Sequence, residues 1–189
     1  MIDIPKVKSV DACLARLIDK KADPNGTTYL DLGCGLTSRN PFHGEHAYGI
    51  DIYYNPSKNI KCADLSLEPI PFEDNAFDYV TAFDTLEHIP RVIYTPYRRF
   101  PFVELMNEVW RTLKPNGYLL SYTPIYPYSA VFRGPTHVNI MTMRHSPFIL
   151  MTKINLQKCM VLKAHSKLLV NTLMNRNSSA SCRKVVKQK

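Results

Sequence analysis

Short apolar runs separated by polar turns fill residues 27–125, and the length of each run is typical of a β-strand. The predicted strands span residues 29–32, 47–52, 60–63, 77–83 and 118–122. Apolar residues also recur at helical spacing over residues 6–20 and 103–113, which predicts two amphipathic helices. Because strands alternate with turns and helices, the pattern predicts an α/β fold built on a doubly wound, mostly parallel sheet.

An aspartate stands at the carboxyl end of each of the first four predicted strands. These residues are Asp31, Asp51, Asp64 and Asp84. The carboxyl ends of parallel strands meet at one edge of the sheet, where open α/β sheets bind ligands. The four carboxylates are compatible with a metal site, with an extended nucleoside ligand, or with four unrelated strand ends. A metal site needs ligands that converge on one point, so carboxylates on separate strands suit an extended ligand better.

The first strand ends in Asp31-Leu32-Gly33-Cys34-Gly35, a turn with glycines at alternate positions. Glycine permits a sharp turn and leaves no Cβ between the backbone and a small molecule. The dinucleotide-binding fingerprint needs a third glycine three residues later, where this chain has Ser38. Asp51 lies 16 residues beyond Gly35, close to the spacing of about 20 at which an acid binds ribose hydroxyls. The turn therefore favours a nucleoside without phosphates over a nicotinamide dinucleotide.

The composition is typical of a globular protein, with 45% hydrophobic and 21% charged residues among 189. This length predicts one domain with a buried core. The five cysteines form no Cys-x-x-Cys pair, which argues against a zinc site and against a disulfide framework. We therefore predict no metal site and a cytoplasmic location. No apolar run reaches the ~20 residues that span a bilayer, so no membrane span is expected.

The net charge of +8 is unevenly distributed, because all 16 acidic residues precede residue 109. A basic half is typical of proteins with an anionic partner, and it also occurs as a solvated surface. A nucleic-acid-binding function that uses this basic half is therefore an alternative. The sequence lacks the aromatic and basic strand signatures of RNA-binding modules, which makes nucleic acid the less favoured partner.

Several motifs follow one another in the order of a known enzyme family. They are Leu30-Asp31-Leu32-Gly33-Cys34-Gly35, Gly49-Ile50-Asp51-Ile52, Ala63-Asp64-Leu65, Leu86-Glu87-His88-Ile89 and Trp110-Arg111-Thr112-Leu113-Lys114-Pro115-Asn116-Gly117. With these motifs, residues 27–125 resemble a class I S-adenosylmethionine-dependent methyltransferase of the small-molecule, type 11-like kind. The resemblance implies a compact Rossmann-like sheet, S-adenosyl-L-methionine as cofactor, and methyl transfer to a small-molecule or saccharide acceptor.

The resemblance also implies which residues bind the methionyl and ribose portions of the cofactor. Gly33, Cys34 and Gly35 would form the turn beneath these portions, with Asp31 near the amino group. Phe83 would contact the methionyl end through its backbone.

The same resemblance assigns the adenosine side to residues after the second and third strands. Asp51 would accept both ribose hydroxyls, and Ile52 would lie against the adenine. Asp64 would accept a hydrogen from the adenine amino group, with Leu65 beside it.

Two histidines are candidates for a general base, which is needed only if the acceptor is a hydroxyl or a protonated amine. His137 follows the fifth strand, where the sheet would face its acceptor, and it is the predicted catalytic residue. His88 follows the fourth strand and is interpreted as a structural histidine.

The C-terminal part of the chain fits the family less well. We predict a methyltransferase domain over residues 1–143 and a basic segment over residues 144–189. The family fold ends with a sixth strand and an antiparallel seventh strand. Residues 148–151 and 160–162 are candidates for these strands, but the same residues could form a long helix. An atypical, incomplete or divergent C-terminus, and thus a truncated inactive relative, therefore remains an alternative.

Overall fold

The computed structural model describes residues 26–142 and 159–163 of the chain. The elements in chain order are β1 (Thr28–Leu32), β2 (His46–Asp51), β3 (Ile60–Cys62), β4 (Phe77–Phe83), β5 (Ile93–Tyr94), β6 (Arg98–Arg99), α1 (Pro101–Thr112), β7 (Leu113–Tyr122), β8 (Ile125–Tyr126), β9 (Met141–Thr142) and β10 (Cys159–Lys163). Six strands form the central sheet in the order β10-β7-β4-β1-β2-β3. All neighbours are parallel except β10, which runs antiparallel to β7. The sheet is therefore mostly parallel and Rossmann-like.

The core lies around the two central strands, β1 and β4. Leu30, Leu32 and Val80 have no exposed surface, and Phe77 is 1% exposed. A parallel strand is covered on both faces and so carries a nearly continuous apolar run, which explains the predominance of these side chains. Each fully buried side chain contributes about 1.5–3 kcal/mol of transfer free energy. This packing holds the carboxyl ends of β1 and β4 next to each other.

Helix α1 covers one face of the sheet before the chain enters β7. Pro101 begins the helix, a position that suits proline because its missing N–H would have no partner there. Leu105 and Val109 are one turn apart and both are buried. At the other end, the Arg111 guanidinium donates to Glu108 and to the backbone carbonyls of Ile70 and Phe72, which ties the helix to the loop before β4.

The five predicted strands all form, although their limits differ from the prediction by a few residues. β2 and β3 end one residue early, at Asp51 and Cys62, because these two residues form the last pair of their ladder. β7 begins at Leu113, since Leu113 pairs with Phe77 before the register shifts. The predicted second helix is confirmed, but it spans Pro101–Thr112. No α-helix separates β1 from β2 in the described chain.

The basic C-terminal segment contributes one strand to the sheet. β10 pairs with the carboxyl half of β7, from Cys159 opposite Tyr122 to Lys163 opposite Tyr118. Of the two alternatives for residues 160–162, the strand is the one observed, in the antiparallel orientation of the family's last strand. The predicted helix over residues 6–20 and the candidate strand over 148–151 lie outside the described residues.

Candidate active site

The turn after β1 uses two glycines in the left-handed region, Gly33 at φ 63° and Gly35 at φ 64°. A Cβ on Gly33 would lie 2.4 Å from Thr85 Oγ1, so the turn passes directly against the end of β4. A Cβ on Gly35 would meet no atom within 4 Å. The backbone at Gly35 thus borders open space, as a ligand-binding turn requires.

The Asp51 carboxylate holds this turn against the end of β2. Its Oδ2 accepts a hydrogen bond from Gly35 N at 2.8 Å, and its Oδ1 accepts one from Tyr53 N at 3.3 Å. The backbone of Cys34 also donates to Ile50 O, at 3.1 Å. Each carboxylate oxygen can accept further hydrogen bonds, so Asp51 can bind a ligand while it holds the turn. The structure therefore brings Gly33, Gly35 and Asp51 together.

Asp31 is the most buried of the four strand-end aspartates, with 1% of its surface exposed. Thr81 Oγ1 donates to its Oδ1 at 2.6 Å, and Arg39 N donates to its Oδ2 at 2.7 Å. Burial outweighs these hydrogen bonds and raises the pKa of Asp31 to about 6. The Cys34 thiol next to it is half-buried, and burial together with the Asp31 charge raises its pKa to about 11. Cys34 is therefore a neutral thiol near pH 7.

The predicted adenosine-side residues occupy two environments. Ile52 is 62% exposed at the end of β2, whereas Leu65 is buried in the core. Asp64 uses its Oδ1 to accept a hydrogen bond from Ser66 N at 2.8 Å, which caps the turn after β3. The amide of Ala63 donates to Asp51 O at 3.0 Å, so the ends of β2 and β3 are joined.

Two contacts at this edge were not predicted from the sequence. The Arg39 guanidinium lies over the ring of Phe83, 4.9 Å from its centroid. Thr85 Oγ1 lies 3.0 Å from both Leu32 O and Phe83 O, so one hydroxyl joins the ends of β1 and β4. Neither Arg39 nor Thr85 belongs to a recognisable pattern, and only their position next to the glycine turn identifies them.

A second group of side chains lies at the carboxyl ends of β4 and β7. Glu87, His88 and His137 each offer a ligand atom, and these three atoms lie within 4.8 Å of one another. The two imidazole rings meet edge to face, with 5.0 Å between their centroids. The two predicted base candidates are therefore neighbours. Glu87 was missed because an acid inside an apolar motif gives no spacing signal, and its separation from His137 in the sequence is large.

Two tyrosines and an arginine lie in the β5–β6 hairpin. Tyr94 and Tyr97 are 73% and 80% exposed in the β5–β6 hairpin. Arg99 pairs with Glu104 of α1, so its charge is already compensated. Among the described residues, no helix is long and apolar enough to cross a membrane.

The sequence matches a family described as a methyltransferase domain over residues 30–121. Demethylmenaquinone methyltransferase of Listeria welshimeri is 30% identical over 112 residues, which cover 50% of this chain and 43% of that protein. Phosphoethanolamine N-methyltransferase 2 of Caenorhabditis elegans is 29% identical over 112 residues, which cover 50% of this chain and 23% of that protein. The chain thus spans less than half the length of these curated relatives.

Solved structures share the fold at low sequence identity. A SAM-dependent methyltransferase from Archaeoglobus fulgidus has a TM-score of 0.52 and 21% identity, over 74% of this chain and 64% of that one. The YcgJ protein from Bacillus subtilis has a TM-score of 0.53 and 16% identity, over 72% of this chain and 64% of that one.

Proposed function

Because the chain belongs to the class I S-adenosylmethionine-dependent methyltransferase family, we propose that it binds S-adenosylmethionine at the turn after β1 and methylates a small-molecule acceptor. The observation that carries this proposal is the open space beside Gly35, bordered by the strand ends that bear Asp31 and Asp51. An electrophilic methyl group on a sulfonium is what the cofactor supplies when bound.

The residues around this open space fit S-adenosylmethionine. The backbone of Gly35 has no neighbour within 4 Å of the position that a Cβ would take, so a ligand can approach it closely. Asp51 is fixed by two backbone amides and keeps lone pairs that can accept the two ribose hydroxyls. The exposed side chain of Ile52 offers an apolar surface for the adenine.

Asp31 would bind the amino group of the methionyl portion. Its pKa of about 6 shows that burial makes the charged form costly without a cationic partner. An ammonium group at this carboxylate would compensate that charge, and the ionised form would then prevail. Thr81 and the amide of Arg39 orient both carboxylate oxygens for this contact.

For the acceptor, we propose a small molecule, with a saccharide as one candidate class. The relatives named as demethylmenaquinone methyltransferase and phosphoethanolamine N-methyltransferase support a small molecule over a nucleic acid. In-line transfer requires mainly that the protein holds the acceptor atom collinear with the methyl–sulfur bond. His137 is the predicted acceptor-side residue. A cytoplasmic location stays a prediction that rests on the cysteine usage.

Isothermal titration of the full chain with S-adenosylmethionine and with its demethylated product tests the cofactor proposal. We expect one molecule bound per chain, and no binding of either compound by folded protein would overturn the proposal. Gly35→Ala should weaken binding because its methyl group enters the open space.

Gly26→Ala is the matched control. Gly26 also has a positive φ, 74°, and also has no neighbour within 4 Å of a built Cβ, but it lies before β1 at the opposite edge. The same backbone strain is therefore introduced without a change at the ligand site, and affinity should not change. Binding of nucleic acid instead of a small molecule would be revealed by affinity that falls steeply with salt.

A further inference from the structure

The carboxylate of Glu87 is buried with one oxygen uncompensated. The residue is 1% exposed, and its Oε2 accepts a hydrogen bond from Thr123 Oγ1 at 2.6 Å. Within the described part of the chain, its Oε1 has no hydrogen-bond partner. A buried carboxylate oxygen without a partner is costly, so such a group indicates a ligand that supplies positive charge or a donor.

The two histidines beside Glu87 have the same tautomer. Nδ1 of His88 lies 3.1 Å from Thr136 O, and Nδ1 of His137 lies 3.1 Å from Val131 O. A carbonyl oxygen can only accept, so each Nδ1 carries a proton, and in the neutral ring each Nε2 has a lone pair for a ligand. A carbonyl that fixes the tautomer and the orientation of an imidazole is the usual outer-shell partner of a metal-binding histidine.

The two segments that bear these side chains are held together by hydrogen bonds of Asn139. Asn139 N donates to Glu87 O at 2.9 Å, and Asn139 Nδ2 donates to Leu86 O at 3.2 Å. Arg91 Nε in turn donates to Asn139 Oδ1 at 2.7 Å. The positions of Glu87, His88 and His137 are therefore fixed before any ligand binds.

We propose that Glu87, His88 and His137 form a binding site for a divalent transition-metal ion. Two imidazole nitrogens and one carboxylate suit zinc, iron, cobalt or manganese better than magnesium or calcium, which prefer oxygen ligands alone. Three protein ligands leave at least one coordination position open. The prediction that the chain has no metal site rested on the cysteine pattern and on the separation of the four strand-end aspartates, and neither contains information on this group.

The place of the site in the fold suggests what the open position binds. Glu87 follows Thr85 by two residues, and Thr85 contacts the backbone of Gly33 in the cofactor turn. The metal would therefore lie at the same sheet edge as the methyl donor. Its open position would take an oxygen donor of the acceptor, and this part of the inference rests on the proposed function.

The test is a titration of the metal-free, untagged full-length chain with Co²⁺. The visible absorption of the bound Co²⁺ is the readout. The expected result is one tightly bound equivalent, with a spectrum that changes when azide is added to occupy an open position. His88→Ala, His137→Ala and Glu87→Gln should each weaken binding by about tenfold or more. His46→Ala is the matched control, because His46 is exposed at the start of β2 and should leave metal binding unchanged.

Each result decides the inference separately from the cofactor proposal. Equal Co²⁺ affinity in the wild type and in His88→Ala would overturn the metal site, since His88 is exposed and its removal should leave the fold intact. If Co²⁺ binds but its spectrum does not change with azide, the proposal of an open coordination position is overturned. Titration of the same samples with S-adenosylmethionine reports the cofactor site independently. If His137 acts only as a general base, the chain should bind no Co²⁺, and that result would overturn the metal site.

Discussion

The Asp51 carboxylate accepts a hydrogen bond from the backbone amide of Gly35, with 2.8 Å between Oδ2 and N. This bond joins the end of β2 to the turn after β1. Asp51 therefore both supports the turn that contains Gly33 and Gly35 and is the proposed partner of the ribose. Substitutions that separate these two roles are the most informative.

Asp51→Asn should weaken S-adenosylmethionine binding by about 1–3 kcal/mol, because it removes charge-assisted hydrogen bonds to the ribose. The amide oxygen of Asn can still accept from Gly35 N, so the turn should keep its conformation. Isothermal titration measures the affinity, and thermal unfolding reports the fold. Asp74→Asn is the control, since Asp74 is exposed and pairs with Arg111 at the opposite edge of the sheet. An affinity equal to that of the wild type would refute the ribose assignment.

Gly33→Ala and Gly35→Ala should have different consequences, although both introduce a side chain at nearly the same positive φ. A methyl group on Gly33 would lie 2.4 Å from Thr85 Oγ1, and such overpacking costs about 1–3 kcal/mol of folding free energy. A methyl group on Gly35 enters open space, so only the backbone strain of about 1–2 kcal/mol remains. Urea unfolding of both variants measures the difference. A larger loss of stability in Gly35→Ala would contradict the close packing of the turn against β4.

The buried carboxyl of Asp31 should make the stability of the cofactor-free protein depend on pH. Its pKa in the folded state is about 6, above the value of about 3.9 for an unperturbed Asp. The folded state therefore holds the proton more tightly, and this contribution is complete below about pH 4 and is lost as the pH rises through 6. The shift corresponds to about 3 kcal/mol.

Denaturant unfolding of the wild type and of Asp31→Asn between pH 4 and pH 7.5 checks this dependence. The free energy of unfolding of the wild type should fall relative to that of the variant as the pH rises. Any loss of the hydrogen bond from Arg39 N in Asp31→Asn is the same at every pH, so it does not affect the comparison of the two pH profiles. Parallel pH profiles for the two proteins would show that Asp31 ionises in the folded state as it does in water.

Cofactor affinity should show the opposite trend. If Asp31 binds the ammonium group, only its ionised form is competent, so affinity should rise by up to about tenfold per pH unit below 6 and level off above it. Titration of the wild type with S-adenosylmethionine at several pH values between 5 and 8 measures the trend. The same series on Asp31→Asn should give weaker binding with a flatter profile. An unchanged slope in the variant would assign the pH dependence to another group.

The sequence by itself determined the parallel strands, the glycine turn and the line of acids at the strand ends. These features are local, because a short apolar run predicts a strand and two nearby glycines predict a tight turn. Asp31, Gly33, Gly35 and Asp51 could therefore be predicted as candidate site residues before the structure was known.

Only the tertiary structure decided which distant side chains meet. The burial of Asp31 depends on Thr81 of β4 and on the loop that contains Arg39. The grouping of Glu87 with His137 depends on two loops that become neighbours only because β4 and β7 pair side by side. Similarly, the choice between strand and helix for residues 160–162 was made by pairing with the open edge of β7. Contacts between residues far apart in the chain leave no periodic signal, because strand order and packing, rather than local preference, bring them together.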